Sequence, residues 1–261
     1  MLWFRTLAAA ATALQAQPPA PPPWQVDWGQ YYCSIIRQAG EGRPYATAFL
    51  VTPGGDSTQV MLVPEGAAPL PRGVSSVRLL PQGRAFDVRA QSERRGVRDV
   101  IAISGLPYDF RDALAEANEL QLWIGMEIRA RIPLGNVRRA VAEHRRCTAE
   151  ISRQWAVDEA ALAALRQRPT TTNLFGLRAA DYPTAALRRA SQGRVIVRID
   201  VGADGRASAC ATMATSGSAE IDSTTCRVIL RRALFRPAID AAGQRVAART
   251  VSTVTWLIPG D

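Results

Sequence analysis

The sequence predicts an α+β protein in two parts. An N-terminal antiparallel β-rich module with helices precedes a smaller domain in the order helix, strand, strand, helix, strand. Three observations predict this. Between residues 24 and 158, short apolar runs alternate with turn signals such as Pro53-Gly54-Gly55-Asp56 and Pro81-Gln82-Gly83. Over residues 193–201, Val195, Val197, Ile199 and Val201 recur with a period of two, the mark of a strand with one apolar face. After Ser218, the residues Cys226, Ile229, Leu230 and Ala233 recur at helical spacing.

In the first module, strands are expected at residues 31–38, 45–51, 58–63, 74–80, 85–91 and 97–104. A short helix is expected at 109–117, and a hairpin at 120–124 and 127–132 around Gly125. Residues 135–155 read as a closing helix, with Val137, Val141, His144 and Ile151 on one face. Residues 159–173 read as a linker: a short Ala/Leu-rich helix, then the break Pro169-Thr170-Thr171-Thr172-Asn173. The second domain is placed at 174–261. Its first helix, 183–191, opens on Pro183, which suits a first helical turn. Strand 193–201 turns through Gly202-Ala203-Asp204-Gly205 into a return strand at 206–215. Ser218 is the expected N-cap of the next helix. Its acids Glu220 and Asp222 lie early, and Arg227, Arg231 and Arg232 late, which complements the helix dipole. Phe235-Arg236-Pro237-Ala238 ends that helix, and 245–258 is a long final strand.

The chain has 261 residues, 47% apolar and 21% charged, which excludes wholesale disorder. No apolar run approaches the roughly 18–20 residues of a membrane-spanning helix. The net charge is +9, and every basic side chain is Arg. Together with abundant Ala this reads as codon bias, so the Arg content is not taken as a nucleic-acid signal, and no nucleic-acid partner is expected.

Residues 1–16 carry Arg5, an apolar stretch, and small-residue cleavage sites after Ala13 or Ala16, the pattern of a secretory signal peptide. Residues 17–23 form a proline-rich spacer. Export predicts a periplasmic location, with the periplasmic face of the inner membrane as the alternative if this segment anchors. It also puts Cys33, Cys147, Cys210 and Cys226 in an oxidising compartment. Three pairings are open to four cysteines. Their spacing favours Cys33 with Cys147 and Cys210 with Cys226, one bridge per module.

Catalytic signals are weak. His144, the one histidine, has no partner pattern beside it and reads as a packing or surface residue. Ser216-Gly217-Ser218 reads as a helix cap rather than a nucleophile loop, and Asp109 and Asp112 as first-turn acids rather than a carboxylate pair. Trp24, Trp28, Tyr31 and Tyr32 read as core packing. No nucleophile elbow, P-loop or metal motif is found. Neither an enzymatic role nor a cofactor or metal is expected.

Six short segments, in this order, carry a family likeness: Tyr182-Pro183; Gln192-Gly193-Arg194-Val195; Val201 to Arg206; Ser216 to Asp222; Phe235-Arg236-Pro237-Ala238; and Gly243-Gln244-Arg245-Val246. They resemble the TonB C-terminal domain over about residues 174–259. The first module resembles no family in the same way. The resemblance implies a periplasmic domain that binds the short TonB box of an outer-membrane receptor as an added strand, in energy-coupled transport. It implies a partner-strand edge at Arg249, Val251, Thr253, Thr255 and Trp256, with Tyr182 and Pro183 near the incoming peptide and Arg249 facing an acidic residue beside the box. It implies inner-membrane motor partners if the N-terminus anchors, and homodimers formed by strand exchange. A TonB transducer also has a long Pro-rich spacer, whereas here a folded module takes that place. The alternative expectation is a soluble periplasmic peptide- or envelope-binding protein with no energy-coupling role.

Overall fold

The computed structural model describes residues 24–258, apart from 41–44, 56, 66–69, 72 and 96–97. The expected signal peptide, the proline-rich spacer and Asp56 of the first turn lie outside the described residues.

The first module is a nine-stranded sheet in which every pair is antiparallel. Its strands are β1 (Gln25–Trp28), β2 (Cys33–Arg37), β3 (Tyr45–Val51), β4 (Ser57–Pro64), β5 (Ser75–Leu80), β6 (Arg84–Arg95) and β7 (Arg98–Pro107), then β8 (Glu119–Ile124) and β9 (Glu127–Pro133). The spatial order is β1-β2-β3-β4-β7-β6-β5-β8-β9. The sheet curls into a half-barrel, so that side chains of one end reach the other. Arg37 on β2 donates to the Pro133 carbonyl, and the Tyr45 hydroxyl on β3 donates to the Arg129 carbonyl at 3.2 Å. The concave face holds an apolar core that includes Ile35, Phe49, Leu62, Leu79, Ile103 and Leu122. Phe110, on the short helix α1 (Phe110–Leu114), fills it, edge-to-face with Phe86 at 5.1 Å.

Helix α2 (Val137–Gln154) closes the half-barrel. Its first half buries Val137, Ala140 and Val141 in that core. Its second half buries Cys147 and Ile151 in a separate cluster with Trp155, Val157, Leu162 and Val251. Cys33 and Cys147 are bridged. His144 is fully buried, its Nε2–H donating to the Cys33 carbonyl at 3.1 Å while Nδ1 has no partner. It is the packing residue expected and not a surface one.

The linker is structured. Helix α3 (Glu159–Ala163) is capped by Asp158, whose carboxylate accepts from the Ala161 amide at 3.0 Å, and Leu162 is buried. Strand β10 (Thr170–Thr171) follows. The second domain has α4 (Thr184–Arg188), β11 (Gly193–Val201), β12 (Ala207–Ala214) and α5 (Ala219–Arg232), then β13 (Phe235–Arg236), β14 (Ala238–Ile239), β15 (Arg245–Val246) and β16 (Ala248–Trp256). The main sheet is β12-β11-β16, β10 pairs with β13, and β14 pairs with β15. Val195, Val197, Ile199, Val201, Val254 and Trp256 face α4 and α5. Cys210 and Cys226 are bridged, joining β12 to α5 across a separation of 16 residues.

Several expectations need correction. Residues 25–28 form a strand that polar Gln25 and Asp27 obscure in the sequence. Of the four early aromatics, only Trp24 enters the main core, donating its indole N–H to the Leu134 carbonyl; Trp28 and Tyr32 are exposed. Leu230 is exposed too. The buried stripe of α5 is Ile221, Thr224, Thr225, Val228 and Ile229, and Cys226 sits on its flank to reach β12. Ser218 occupies the N-cap position, but its hydroxyl donates to Glu220. Asp222 satisfies the entry loop instead, accepting from the Ser216 amide at 2.9 Å and the Ser216 hydroxyl at 2.7 Å. The long final strand expected at 245–258 is divided in two. Strand β15 turns away to pair with β14, and Ala247 alone lies between it and β16.

This packing has measurable consequences. Burial, with the Arg111 charge adding to it, lowers the His144 pKa to about 4 from its usual 6.5. Because the folded value is depressed, stability is full above about pH 6.5 and is lost as pH falls toward 4, by up to about 3 kcal/mol. Urea titrations of the wild type should show this slope, and His144→Gln should flatten it between pH 4 and 6.5. Replacing both Cys210 and Cys226 by Ala should lower stability by about 2–4 kcal/mol, read in the same titrations.

Candidate functional site

The main sheet of the second domain has two edges, β12 and β16. The β12 edge is braced on α5 by its disulfide. On an antiparallel strand the N–H and C=O of one residue point to the same side, and the side alternates along the chain. The Val251 N–H points away from β11 and donates to the Gly54 carbonyl at 3.0 Å. By that alternation, the backbone groups of Arg249, Thr253 and Thr255 also face outward.

The side chains divide differently. Arg249, Val251, Thr253 and Thr255 lie on one face of the sheet, cross-strand from Asp200, Arg198, Ile196 and Arg194. Thr253 and Thr255 are exposed, and Val251 is buried against the first module. Arg249 is engaged within the chain. Its guanidinium grips the Asp200 carboxylate at 2.6 and 3.1 Å and donates to the Ala156 carbonyl. Arg249 holds the Asp200 carboxyl below the usual carboxylate range. Trp256 lies on the opposite face, its indole N–H donating to the Thr225 hydroxyl at 2.9 Å. Tyr182 packs edge-to-face on Trp256 at 5.2 Å, and its hydroxyl donates to the Ser191 carbonyl. Pro183 is half-buried at the start of α4.

The β3–β4 turn of the first module abuts this edge. Pro53, Gly54 and Gly55 are all buried. Gly54 has φ +70°, and a Cβ there would lie 2.8 Å from Val157 and 3.0 Å from Val251. Its carbonyl accepts from the Thr250 hydroxyl as well, at 3.3 Å, and its amide donates to Glu159 at 2.7 Å. Glu159 also accepts from the Ser152 hydroxyl at 2.7 Å and the Tyr108 hydroxyl at 2.9 Å. Arg168 stacks on the Tyr108 ring at 3.6 Å and donates to the Gly55 carbonyl at 2.8 Å. Burial above all, and the Glu159 carboxylate with it, pushes the Tyr108 phenol up to about 12, against the opposing pull of Arg111 and Arg168.

An αββαβ order, a three-stranded antiparallel sheet and a last strand at its edge are the features the sequence likeness anticipates. Residues 178–258 match the family described as Gram-negative bacterial TonB protein C-terminal. No curated protein and no solved structure matches the chain. The TonB C-terminal match runs from the residue before the Ala179–Asp181 turn to the end of the described chain, and so takes in Tyr182, Pro183 and every proposed edge residue. Residues 24–177 lie outside it.

The other sequence candidates are not brought together. Asp109 pairs with Arg84 at 2.9 Å, whereas Asp112 pairs with Arg111 and Arg145, each at 3.0 Å. Ser216 and Ser218 serve the entry to α5. No group of His, Cys, Asp and Glu able to hold a metal occurs among the described residues, and no helix there is long and apolar enough to cross a membrane. Sequence reasoning missed Gly54, Tyr108, Glu159 and Arg168. The Pro53-Gly54-Gly55 signal marks a turn, but nothing in it marks the strand the turn packs against.

Glu159→Ala should leave the Gly54 amide and the Arg168 guanidinium without their carboxylate. A stability loss of about 2–4 kcal/mol is expected in urea titration, against about 1 kcal/mol for Asp158→Ala at the neighbouring helix cap.

Proposed function

We propose that this is a periplasmic TonB-like protein that binds a peptide strand of an outer-membrane receptor by β-augmentation on β16, in energy-coupled transport. The observation that carries the reading is the TonB C-terminal match over a domain whose last strand lies at a sheet edge, with Thr253 and Thr255 exposed on it. Outward N–H and C=O groups supply main-chain hydrogen bonds, and alternate side chains supply selectivity. Trp256 and Tyr182 act from beneath: they hold the end of β16 flat against α5 rather than touching the peptide across the edge. Arg249 is assigned to bracing, since its carboxylate partner is Asp200. The two disulfides suit an oxidising compartment.

A second reading has one observation in its favour. The described part of residues 24–158 is folded, and Cys33, Cys147, Ile151 and Trp155 cluster with Val251 of the C-terminal sheet, where a TonB transducer has an extended spacer. A periplasmic peptide-binding protein with no energy-coupling role accommodates that packing directly. Intact mass and N-terminal peptide mapping of the native protein in fractionated cells separate the two. A trimmed, soluble periplasmic species favours the second reading, and a full-length species in the inner-membrane fraction favours the first.

Strand addition itself is tested by Thr253→Pro. The Thr253 N–H faces outward, so proline there leaves the β11 ladder intact and removes a donor from the edge. Synthetic N-terminal segments of outer-membrane receptors, titrated by calorimetry, should bind the wild type and lose at least about tenfold in affinity for the variant. Equal affinity for both chains would contradict β-augmentation at β16.

A further inference from the structure

We infer that the β3–β4 turn of the first module is a built-in end-stop for the strand-binding edge, which limits an added peptide to a short window at Thr253 and Thr255. The inference rests on the strand-binding reading above and concerns which part of the edge is open. A strand added to β16 would run about 4.8 Å from it and would use its outward backbone groups. At Val251 that lane is filled, because the Gly54 carbonyl accepts the outward N–H at 3.0 Å. Pro53, Gly54 and Gly55 are buried there, so no second strand fits beside Val251 without expelling them. Arg249 lies beyond the turn, and its guanidinium is held by Asp200 and the Ala156 carbonyl. Past Val251 the edge opens, with Thr253 and Thr255 exposed.

The turn is held as a fixed wall rather than a loose flap. Glu159 takes its Gly54 amide, Arg168 takes its Gly55 carbonyl, and Thr250 adds a second donor to the Gly54 carbonyl. Val157 and Val251 pack on Gly54 with no room for a Cβ. Behind the turn, Cys33 pairs with Val51 in the β2–β3 register and is bridged to Cys147. The ligand that fits is therefore a short extended peptide whose paired stretch spans about three to five residues. It must end or bend away where it would reach Val251. An edge open along all of β16 would instead accept a strand of up to nine residues.

The test uses the full chain and dodecapeptides selected on it from a phage-displayed random library. Amide resonances of isotope-labelled protein are followed as each synthetic peptide is added, and each peptide is then trimmed. The expected result is that Thr253 and Thr255 shift, Val251 does not, and trimming to about five residues keeps the affinity. Gly54→Val, which pushes the turn off Val251, should extend the footprint to Val251. It should also give the untrimmed peptide an advantage of about tenfold over the trimmed one. Should that variant not fold, Arg168→Ala, which frees the Gly55 carbonyl, is the second variant with the same expected direction. A wild-type footprint that includes Val251 would overturn the end-stop and leave strand binding standing. Footprints confined to Thr253 and Thr255 in both chains would also overturn it. If no selected peptide shifts any β16 amide, strand binding fails and the end-stop falls with it.

Discussion

The hydrogen bond from the Val251 amide to the Gly54 carbonyl joins the two modules at the edge strand of the second domain. Alone such a bond contributes about 1 kcal/mol. Its weight comes from what surrounds it. Glu159 collects the Gly54 amide, the Ser152 hydroxyl and the Tyr108 hydroxyl at one carboxylate, and Arg168 balances that charge while holding Gly55. A partly buried carboxylate is costly unless it is well bonded, so these partners depend on one another.

Helix α2 is the element that makes this contact rigid. Its first half belongs to the half-barrel core and its second half to the cluster shared with Val251. The apolar contents of the two modules are therefore linked along one helix. Relative motion is the usual expectation for neighbouring domains. Here a hinge at the linker would have to expose Trp155, Val157 and Leu162, and would break the contacts of Arg249 and Arg168. The outer face of the small sheet, which in sequence shows only Ile196 among polar neighbours on β11, is accordingly an interface.

Much of the fold is legible in the sequence because local rules govern it. The alternation at 193–201, the Gly202–Gly205 turn and the hairpin around Gly125 each state their own geometry. The pairing order of the half-barrel is not legible. Strand β4 lies beside β7 rather than β5, a choice made by the shared concave core and not by any local signal. The α5 stripe is hidden because Thr224 and Thr225 look polar yet are buried, with the Thr225 hydroxyl donating to the Ile221 carbonyl and accepting from Trp256. Of the site, the edge residues Thr253 and Thr255 are readable through the family likeness, and the roles of Val251 and Arg249 are not. Their partners, Gly54 and Asp200, are distant in the chain, and long-range contacts of this kind leave no periodic trace.

One edge strand is thus closed at one end by the protein itself and open at the other. Native-state amide hydrogen exchange along β16 in the free, full chain tests this most directly. The structure predicts that the Val251 amide is protected like the β11-paired amides of Thr250 and Ser252, while Thr253 and Thr255 exchange quickly. Fast exchange at Val251, or protection at Thr253 and Thr255 equal to that of Val251, would contradict it.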